Sequence, residues 1–224
     1  MVRRISVISV LIFFYCLNLM AQEPETELQK IRLGIKIAPS VIWMKSKSKF
    51  VDGDGSKIGF SYGLMLDVNL SKNYAFGTGI DIAYRGGKLK VDGDYTVTNE
   101  DIAATYTLQY IQIPITIKMM TNEMGYIRYF GQLGFESGFN ISAKGTDVDN
   151  YPSSPGDKES IAGQIAPFNL ALLLQLGLEY SIGGKTSLAF SLYYSNGFLD
   201  VISSVQPNYD ARSNGLGLNI GVFF

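Results

Sequence analysis

The chain has 224 residues, a formal net charge of -1 at pH 7, 24 Gly, one Cys and no His. The absence of histidine excludes catalysis by a histidine base and metal sites with imidazole ligands. Charged residues make up 17% of the sequence, which is below the roughly 25% usual in soluble domains. The charge balance gives no basic footprint for nucleic acid, and the composition points to strands in a medium other than water.

Residues 1–21 have the pattern of a secretory signal peptide. Arg3 and Arg4 form a positively charged start, an apolar stretch follows, and Ala21 supplies a small residue at the cleavage site. A single anchoring helix is disfavoured because this stretch is shorter than the roughly 20 apolar residues that span a bilayer. Cleavage would remove the only cysteine, Cys16, and leave residues 22–30 as a periplasmic segment before a barrel domain at residues 31–224.

The rest of the chain alternates apolar residues with small or polar ones at a period of two. The last ten residues show this best, since Leu216, Leu218 and Ile220 share one face and glycines lie between them. The same reading along the chain predicts eight strands, at residues 32–43, 57–70, 74–86, 105–118, 126–141, 168–182, 186–196 and 213–224.

The connections between these predicted strands alternate in length. Long connections lie at residues 44–56, 87–104, 142–167 and 197–212, and short ones at residues 71–73, 119–125 and 183–185. An even strand count with long loops on one side is the layout of outer-membrane barrels. We therefore predict an all-β fold in the bacterial outer membrane, an eight-stranded antiparallel up-and-down barrel with short periplasmic turns and long extracellular loops.

Two other structures fit parts of this pattern. A secreted lipocalin-like barrel also alternates over eight strands, but its apolar face lines a ligand cavity and its polar face meets water. Here the second face carries mainly small residues, which suit the crowded interior of an eight-stranded barrel. Residues 161–178 have no charge and could form a transmembrane helix, yet strict alternation from Phe168 to Ile182 favours a strand with Glu179 pointing inward.

Aromatic side chains near the predicted strand ends are expected to form girdles at the two bilayer interfaces. With the apolar face outward, charges of both signs should point into the lumen and neutralise one another in hydrogen-bonded networks. We interpret these charges as structural packing, with a proton or ion path or a ligand site as the functional alternative. The girdle residues are Tyr74, Phe76, Tyr84, Tyr126, Tyr129, Tyr180 and Tyr194, and the lumenal charges are Arg32, Lys36, Asp67, Asp81, Arg85, Arg128, Glu136 and Glu179.

Two loops carry paired acids beside glycine, Asp52 with Asp54 and Asp92 with Asp94. Such pairs could contribute ligands to calcium, but the full calcium loop with its distant Glu is absent. Turn formation by Asp-Gly is the better interpretation. We predict no catalytic, cofactor-binding or metal site.

The stretch Tyr110-Ile-Gln-Ile-Pro-Ile-Thr-Ile-Lys118 resembles the Y-L-E-I-P-L-L-L-K strand of the PorT-like outer-membrane β-barrel family, a group similar to the small OmpA/OmpX-type barrels. Tyr110 and Pro114 match the motif, whereas Gln112 stands where an acid is common. The resemblance extends over the whole mature chain and implies a barrel without implying an activity. Some members look like accessory factors of the type IX secretion system. The terminal Phe224 resembles the signal by which the barrel assembly machinery recognises its clients.

Three functional hypotheses follow, and none is enzymatic, because known membrane-barrel hydrolases and acyltransferases look histidine-dependent. The first is a barrel whose long loops, above all residues 87–104 and 142–167, contact a protein partner or a surface. The second is a PorT-like secretion accessory, and the third is a narrow pore. The other expected partners are the lipid bilayer and, during biogenesis, the assembly machinery; no cofactor is expected.

Overall fold

The computed structural model describes residues 29–46, 51–91, 102–146, 158–203 and 211–224. The predicted signal peptide, residues 22–28 and the acids Asp92 and Asp94 lie outside the described residues. The described chain is built from β-strands, with one short 3-10 turn at Ala162–Gln164. The strands are β1 (Ile31–Ser46), β2 (Val51–Gly53), β3 (Ser56–Asn69), β4 (Tyr74–Val91), β5 (Ile102–Met120), β6 (Ile127–Thr146), β7 (Lys158–Ser160), β8 (Phe168–Gly183), β9 (Thr186–Gly197) and β10 (Ala211–Phe223).

The eight long strands form a closed antiparallel barrel. Each long strand pairs with the next long strand along the chain, and β10 pairs with β1, so that Gly34 lies opposite Phe223 and Ser46 opposite Ala211. The two short strands β2 and β7 pair with β4 and β6, respectively, at the end of the barrel that carries the long loops. The predicted all-β, eight-stranded, up-and-down barrel is confirmed. Closure satisfies the strand edges that would otherwise be left without partners in a bilayer.

Tight turns join the strands at the other end. The Leu70 amide donates to the Tyr74 carbonyl at 2.9 Å, and the Ser71 hydroxyl accepts from the amide of Asn73 at 3.3 Å. Between β8 and β9 the chain reverses through Gly183 and Gly184, whose φ angles of 132° and 60° suit glycine because other residues rarely adopt them. We call this end of the barrel the short-turn end and the opposite one the long-loop end.

Burial along the strands follows the alternation. In β10 the side chains of Leu216, Leu218 and Ile220 face outward, while Gly217 and Asn219 are buried. The apolar face of each long strand lies on the outside of the barrel and the small and polar face lies inside. A lipocalin-like barrel would have the apolar face inside, so that alternative is wrong.

The uncharged segment at residues 161–178 enters the barrel as a strand. It makes a 3-10 turn at Ala162–Gln164 and begins β8 at Phe168. Outward-facing Leu174 and Leu176 alternate with buried Leu173 along β8, as the sequence pattern predicted. Over the part of the chain that the structure describes, no helix has the length and apolar character to cross a membrane.

The strands β1, β4, β5 and β6 extend toward the long loops by three to five residues beyond their predicted ends. The strand β4 runs to Val91, β5 begins at Ile102, and β6 continues to Thr146. Parts of the predicted loops at residues 87–104 and 142–167 are therefore strand, and a transmembrane strand needs only about 9 to 11 residues. The pairs β4–β5 and β5–β6 thus continue past the band of exposed Ile, Leu and Val side chains around the barrel, which we call the apolar belt, and they form a projecting sheet. Beyond Ile111 its outward positions on β5 are polar or small, so the apolar signal that guided the prediction ends there.

Candidate functional site

Among the residues that the structure describes, eight charged side chains lie in the barrel lumen, four cationic and four anionic. Each of the four carboxylates has a cationic nitrogen within 2.8 Å, so the enclosed charges balance one another. They come from six different strands, which the closed topology brings around one axis. The cations are Arg32, Lys36, Arg85 and Lys118, and the anions are Asp67, Asp81, Glu136 and Glu179.

The network nearest the short-turn end joins four charged residues. Lys118 Nζ lies 2.6 Å from Asp67 Oδ2 and 2.5 Å from Glu179 Oε1. The other oxygen of Glu179 accepts from Arg32 Nη1 at 2.8 Å, and Arg32 Nη2 donates to the Ser187 hydroxyl at 2.5 Å. Lys118 is therefore the centre of this network, and only 2% of its side chain is exposed.

Two phenylalanine rings line the cations of this network. The Arg32 guanidinium lies 4.5 Å from the ring centre of Phe223, and Lys118 Nζ lies 4.5 Å from Phe130 and 4.7 Å from Phe223. Ring faces attract cations, most strongly where water is excluded. Phe223, the residue before the terminal one, thus points into the lumen, whereas 54% of Phe224 is exposed on the outside.

Two smaller networks lie further along the lumen. Lys36 Nζ pairs with Asp81 Oδ2 at 2.6 Å. Arg85 Nη2 pairs with Glu136 Oε1 at 2.6 Å, and the same oxygen accepts from Gln112 Nε2 at 2.6 Å. Each of the four described lumenal carboxylates is thus paired with at least one cation.

A cavity of ≈ 30 Å³ lies among these networks. Its polar lining includes Lys36, Asp67, Lys118 and Asn219. This space holds no more than one or two water molecules. The buried oxygens Asp81 Oδ1 and Asn219 Oδ1 have no hydrogen-bond partner among the described residues, and water in the lumen would satisfy such atoms.

An apolar cluster, which we call the cap, closes the lumen at the long-loop end. Inward residues of the projecting strands, such as Leu108 and Tyr110, pack against residues that follow β7 and β9. Backbone hydrogen bonds fix these segments, from the Ala166 amide to the Val201 carbonyl at 2.8 Å and from the Val201 amide to the Ala211 carbonyl at 2.7 Å. The cap consists of Met44, Leu89, Ala104, Tyr106, Leu108, Tyr110, Ala143, Ile161, Ile165, Val201 and Ala211.

One predicted lumenal charge, Arg128, lies apart from the others in the structure, and one lumenal charge, Lys118, was not predicted. Arg128 lies near the short-turn end with its side chain 29% exposed, and pairs with Glu123 at 3.7 Å outside the three networks. Arg128 stands at the start of β6, where the inward face opens to the turn. Lys118 was not among the predicted charges, although it has the same parity as Gln112 and Pro114, which are both buried. That parity was the signal available in the sequence.

The acid pairs of the loops do not assemble a metal site in the described chain. Asp52 and Asp54 are exposed near β2. Within the described ranges, no group of three or more Asp, Glu, His or Cys side chains comes close enough to hold a metal ion.

The outer surface has the two zones of a bilayer-spanning protein. Exposed Ile, Leu and Val side chains form a belt around the barrel, and aromatic residues lie near both of its edges. At the short-turn end Tyr126 packs against Tyr180 with ring centres 6.2 Å apart, and toward the long-loop end Trp43 packs against Tyr194 at 6.4 Å. Of the seven predicted girdle residues, five are exposed on the outer surface, and Phe76 and Tyr194 are half-buried. A closed, filled barrel with an apolar belt is the structure of an integral β-barrel membrane protein.

Residues 20–203 match the family described as "Outer membrane protein beta-barrel domain". The chain belongs to this family and is a bacterial outer-membrane β-barrel protein. A comparison with functionally curated proteins finds no match.

Several solved barrels are similar to this chain. Neisserial surface protein A is 13% identical with a TM-score of 0.45, and the match covers 86% of this chain and 97% of that one. Ail of Yersinia pestis, solved with the heparin analogue sucrose octasulfate, is 16% identical with a TM-score of 0.40 over 88% of this chain and 100% of that one. OprG of Pseudomonas aeruginosa is 14% identical with a TM-score of 0.41 over 87% and 94%.

The Gln112→Glu variant tests the balance of charge in the lumen. It is expected to lower the free energy of unfolding by about 2 kcal/mol, because the new carboxylate faces Glu136 with a single cation, Arg85, between them. Denaturant unfolding of the barrel in phospholipid vesicles would measure this loss. The exchange variant, Gln112→Glu with Glu136→Gln, keeps one acid and one amide and should recover most of the stability. An equal loss in both variants would contradict the balance argument.

Proposed function

We propose that this protein is a non-enzymatic outer-membrane barrel that acts through its long-loop end, where the projecting sheet and the loops contact a partner protein or surface. The observation that carries the proposal is the closed lumen, in which paired charges and the apolar cap occupy the interior. With the interior filled, the outer surface of the projecting sheet and the loops is left as the place for interaction. In this proposal the long-loop end faces the cell exterior.

The route to the membrane belongs to the same proposal. The signal peptide at residues 1–21 directs export, and the assembly machinery reads the terminal strand with Phe224. In support, Phe224 is exposed on the outer face and its amide donates to the Leu33 carbonyl of β1 at 2.9 Å, so the end of the chain lies at the seam that closes the barrel.

Replacement of the loops tests the proposed function. Residues 92–101 and 147–157, which follow β4 and β6, would each be exchanged for a short Gly-Ser turn in the full-length protein. We expect these variants to keep heat-modifiable gel mobility and to lose partners that the wild-type protein retains in pull-downs from intact cells. The matched control exchanges residues 71–73 at the short-turn end. Unchanged pull-downs and an unchanged surface phenotype after both loop exchanges would refute the proposal.

A filled lumen also predicts that the protein does not conduct. Paired charges and the cap occupy the described lumen, the cavity among the networks measures only ≈ 30 Å³, and burying an ion beside the cap would be costly. In planar bilayers the purified barrel is expected to show no reproducible unitary conductance, with a general porin in the same preparation as the positive control. Stable, voltage-independent current steps from the wild-type protein would restore the pore hypothesis.

A role as PorT-like secretion accessory is the second candidate, and the motif strand is the observation behind it. Tyr110, Gln112, Pro114 and Lys118 are all buried inside the barrel. These four inward residues therefore pack the lumen, whereas the exposed motif residues Ile115 and Ile117 belong to the apolar belt, so the motif offers a secretion complex only a lipid-facing surface. Co-purification with secretion-complex proteins, together with a secretion defect on deletion of the gene, would favour this candidate over the first.

A further inference from the structure

The outer surface of β6, β8 and β9 stays apolar further toward the long-loop end than the rest of the barrel does. At that level the outward positions of other strands are charged or polar, as Lys45 of β1 and Lys88 of β4 show. On β6, β8 and β9 the same level carries Phe139, Phe168 and Phe198, and all three are exposed. The apolar surface at the long-loop end is therefore one-sided.

Four phenylalanine rings pack together in two pairs on this side. Phe139 of β6 lies opposite Phe168 of β8, with ring centres 5.3 Å apart. Phe135 of β6 and Phe198 of β9 meet across β8, with ring centres 6.1 Å apart. Between 38% and 49% of each residue is exposed. We call these four residues the phenylalanine patch.

A short side chain separates the two ring pairs. Ser137 lies between Phe135 and Phe139 along the outer face of β6, opposite Leu170 of β8. The Ser137 hydroxyl donates to the Ile113 carbonyl at 3.0 Å, so its hydrogen is already used within the sheet. Because serine is much smaller than the flanking rings, the surface has a hollow between two protrusions. Such a shape can pack into a second surface of the same kind.

The height of the patch shows that acyl chains reach only its lower part. Phe168 lies twelve residues from Tyr180, one of the aromatic residues at the short-turn interface, which is about 31 Å along the bilayer normal for a tilted strand. The apolar band of an outer-membrane barrel is only about 25 Å tall. The upper rings therefore extend past the acyl chains, where burial against another apolar surface would stabilise them.

The charge and size of the patch favour a second copy of this chain as that surface. The described outward positions of β8, β9 and β6 as far as Ile141 carry no charge, so two such faces do not repel each other. Two copies in one bilayer have the same orientation, and a two-fold axis along the bilayer normal brings patch against patch. The rings expose roughly 350 Å². The apolar belt below them, including Leu174, continues the contact toward the roughly 800 Å² per partner of a stable interface.

We propose that this protein forms a two-fold homodimer in the outer membrane through the phenylalanine patch, with rings of each protomer set into the hollow at Ser137 of the other. The dimer interface lies on the side of the barrel, leaves the loops free and does not depend on the proposed function. Its consequence does rest on that function: two long-loop ends side by side would bind a repetitive partner surface more strongly than one barrel alone.

Cysteine cross-linking in intact outer membranes tests the dimer. The full-length chain carries Cys16→Ser, which removes its only cysteine. Ser137→Cys, treated with a short bismaleimide, is expected to give a product of twice the mass of the chain. The matched control is Val41→Cys, which lies on the outer face of β1, across the barrel from β6. This control is expected to remain monomeric.

Removal of one ring from each pair tests the patch itself. Phe168→Ala/Phe198→Ala, added to Ser137→Cys, is expected to lower the yield of cross-linked dimer about tenfold or more, because buried aromatic residues carry most of the binding free energy of an interface. The matched control is Phe60→Ala/Tyr62→Ala, a ring pair on the outer face of β3 with centres 6.1 Å apart. It should leave the yield unchanged. Heat-modifiable mobility establishes that each variant is folded.

Four outcomes would overturn the inference. Equal cross-linking through Val41→Cys would indicate random collision, and an unchanged yield in Phe168→Ala/Phe198→Ala would show that the rings do not form the interface. A product that joins this chain to a different protein would assign the patch to another membrane protein. No product from Ser137→Cys, together with a monomer mass in sedimentation equilibrium of the purified wild-type barrel, would refute the dimer.

Discussion

Replacing Lys118 with methionine is expected to lower the free energy of unfolding by about 3 to 5 kcal/mol, the range found when one partner of a buried ion pair is removed. Lys118 holds both Asp67 and Glu179 inside the barrel. Without it Glu179 keeps Arg32, but Asp67 loses the cation that neutralises it. Urea or guanidinium unfolding in phospholipid vesicles, followed by tryptophan fluorescence and gel mobility, measures the loss.

A second substitution separates charge from packing. Adding Asp67→Asn to Lys118→Met removes the unpaired carboxylate, so we expect much of the lost stability to return. Lys185→Met is the matched control, because Lys185 is exposed in the turn between β8 and β9. Such a surface change is expected to stay within about 0.5 kcal/mol. A loss below about 1 kcal/mol for Lys118→Met would mean that water screens the lumen.

The Leu176→Arg variant is expected to cost about 2 to 4 kcal/mol, the range measured for a charge on the lipid face near the bilayer midplane. Leu176 lies near the middle of β8 and is 71% exposed on the outside of the barrel. Its neighbours in the sheet are Gly131 and Leu192, which give an arginine side chain no anionic partner. The same unfolding measurement in vesicles reports the cost.

The matched control lies on the same strand and the same face. Ile182 is 56% exposed near the end of β8, where the strand reaches the short-turn interface. Ile182→Arg is therefore expected to cost about 0 to 1 kcal/mol. Equal costs at the two positions would place the bilayer midplane elsewhere on the barrel, and a negligible cost at both would contradict the lipid-facing assignment.

The fold could be predicted because a bilayer imposes two constraints that appear in sequence. Every lipid-facing position must be apolar, and every strand must pair, so the alternation along Phe168 to Ile182 was sufficient to place β8 and its faces. The turns at residues 71–73 and 183–185 could be predicted from the sequence equally well. Where the strands leave the belt the first constraint ends, and Leu89, Tyr106 and Ala143 then form a core that faces inward behind a polar outer surface.

The candidate site was less predictable, for reasons of geometry. Which charges meet depends on register around the closed barrel, as when Arg32 reaches Glu179 across 147 positions of sequence. A β-bulge at Ile141 of β6 reverses which residues of that strand face inward, and no local residue pattern predicts it. The cap needs Ile165 and Val201 to fold back over the barrel end, which is a tertiary event. Such features depend on how the closed barrel brings distant residues together, so the sequence alone predicts them poorly.

The distribution of the lumenal charges over the chain bears on how the barrel folds. The network joins Arg32 of β1, Asp67 of β3, Lys118 of β5 and Glu179 of β8, so no single hairpin can complete it. An open sheet must keep these groups hydrated, and their water can leave only when the last strands arrive. Drying of the interior and closure of the seam between β1 and β10 thus become one late, cooperative step. Contacts so distant in sequence make slow folding the expectation.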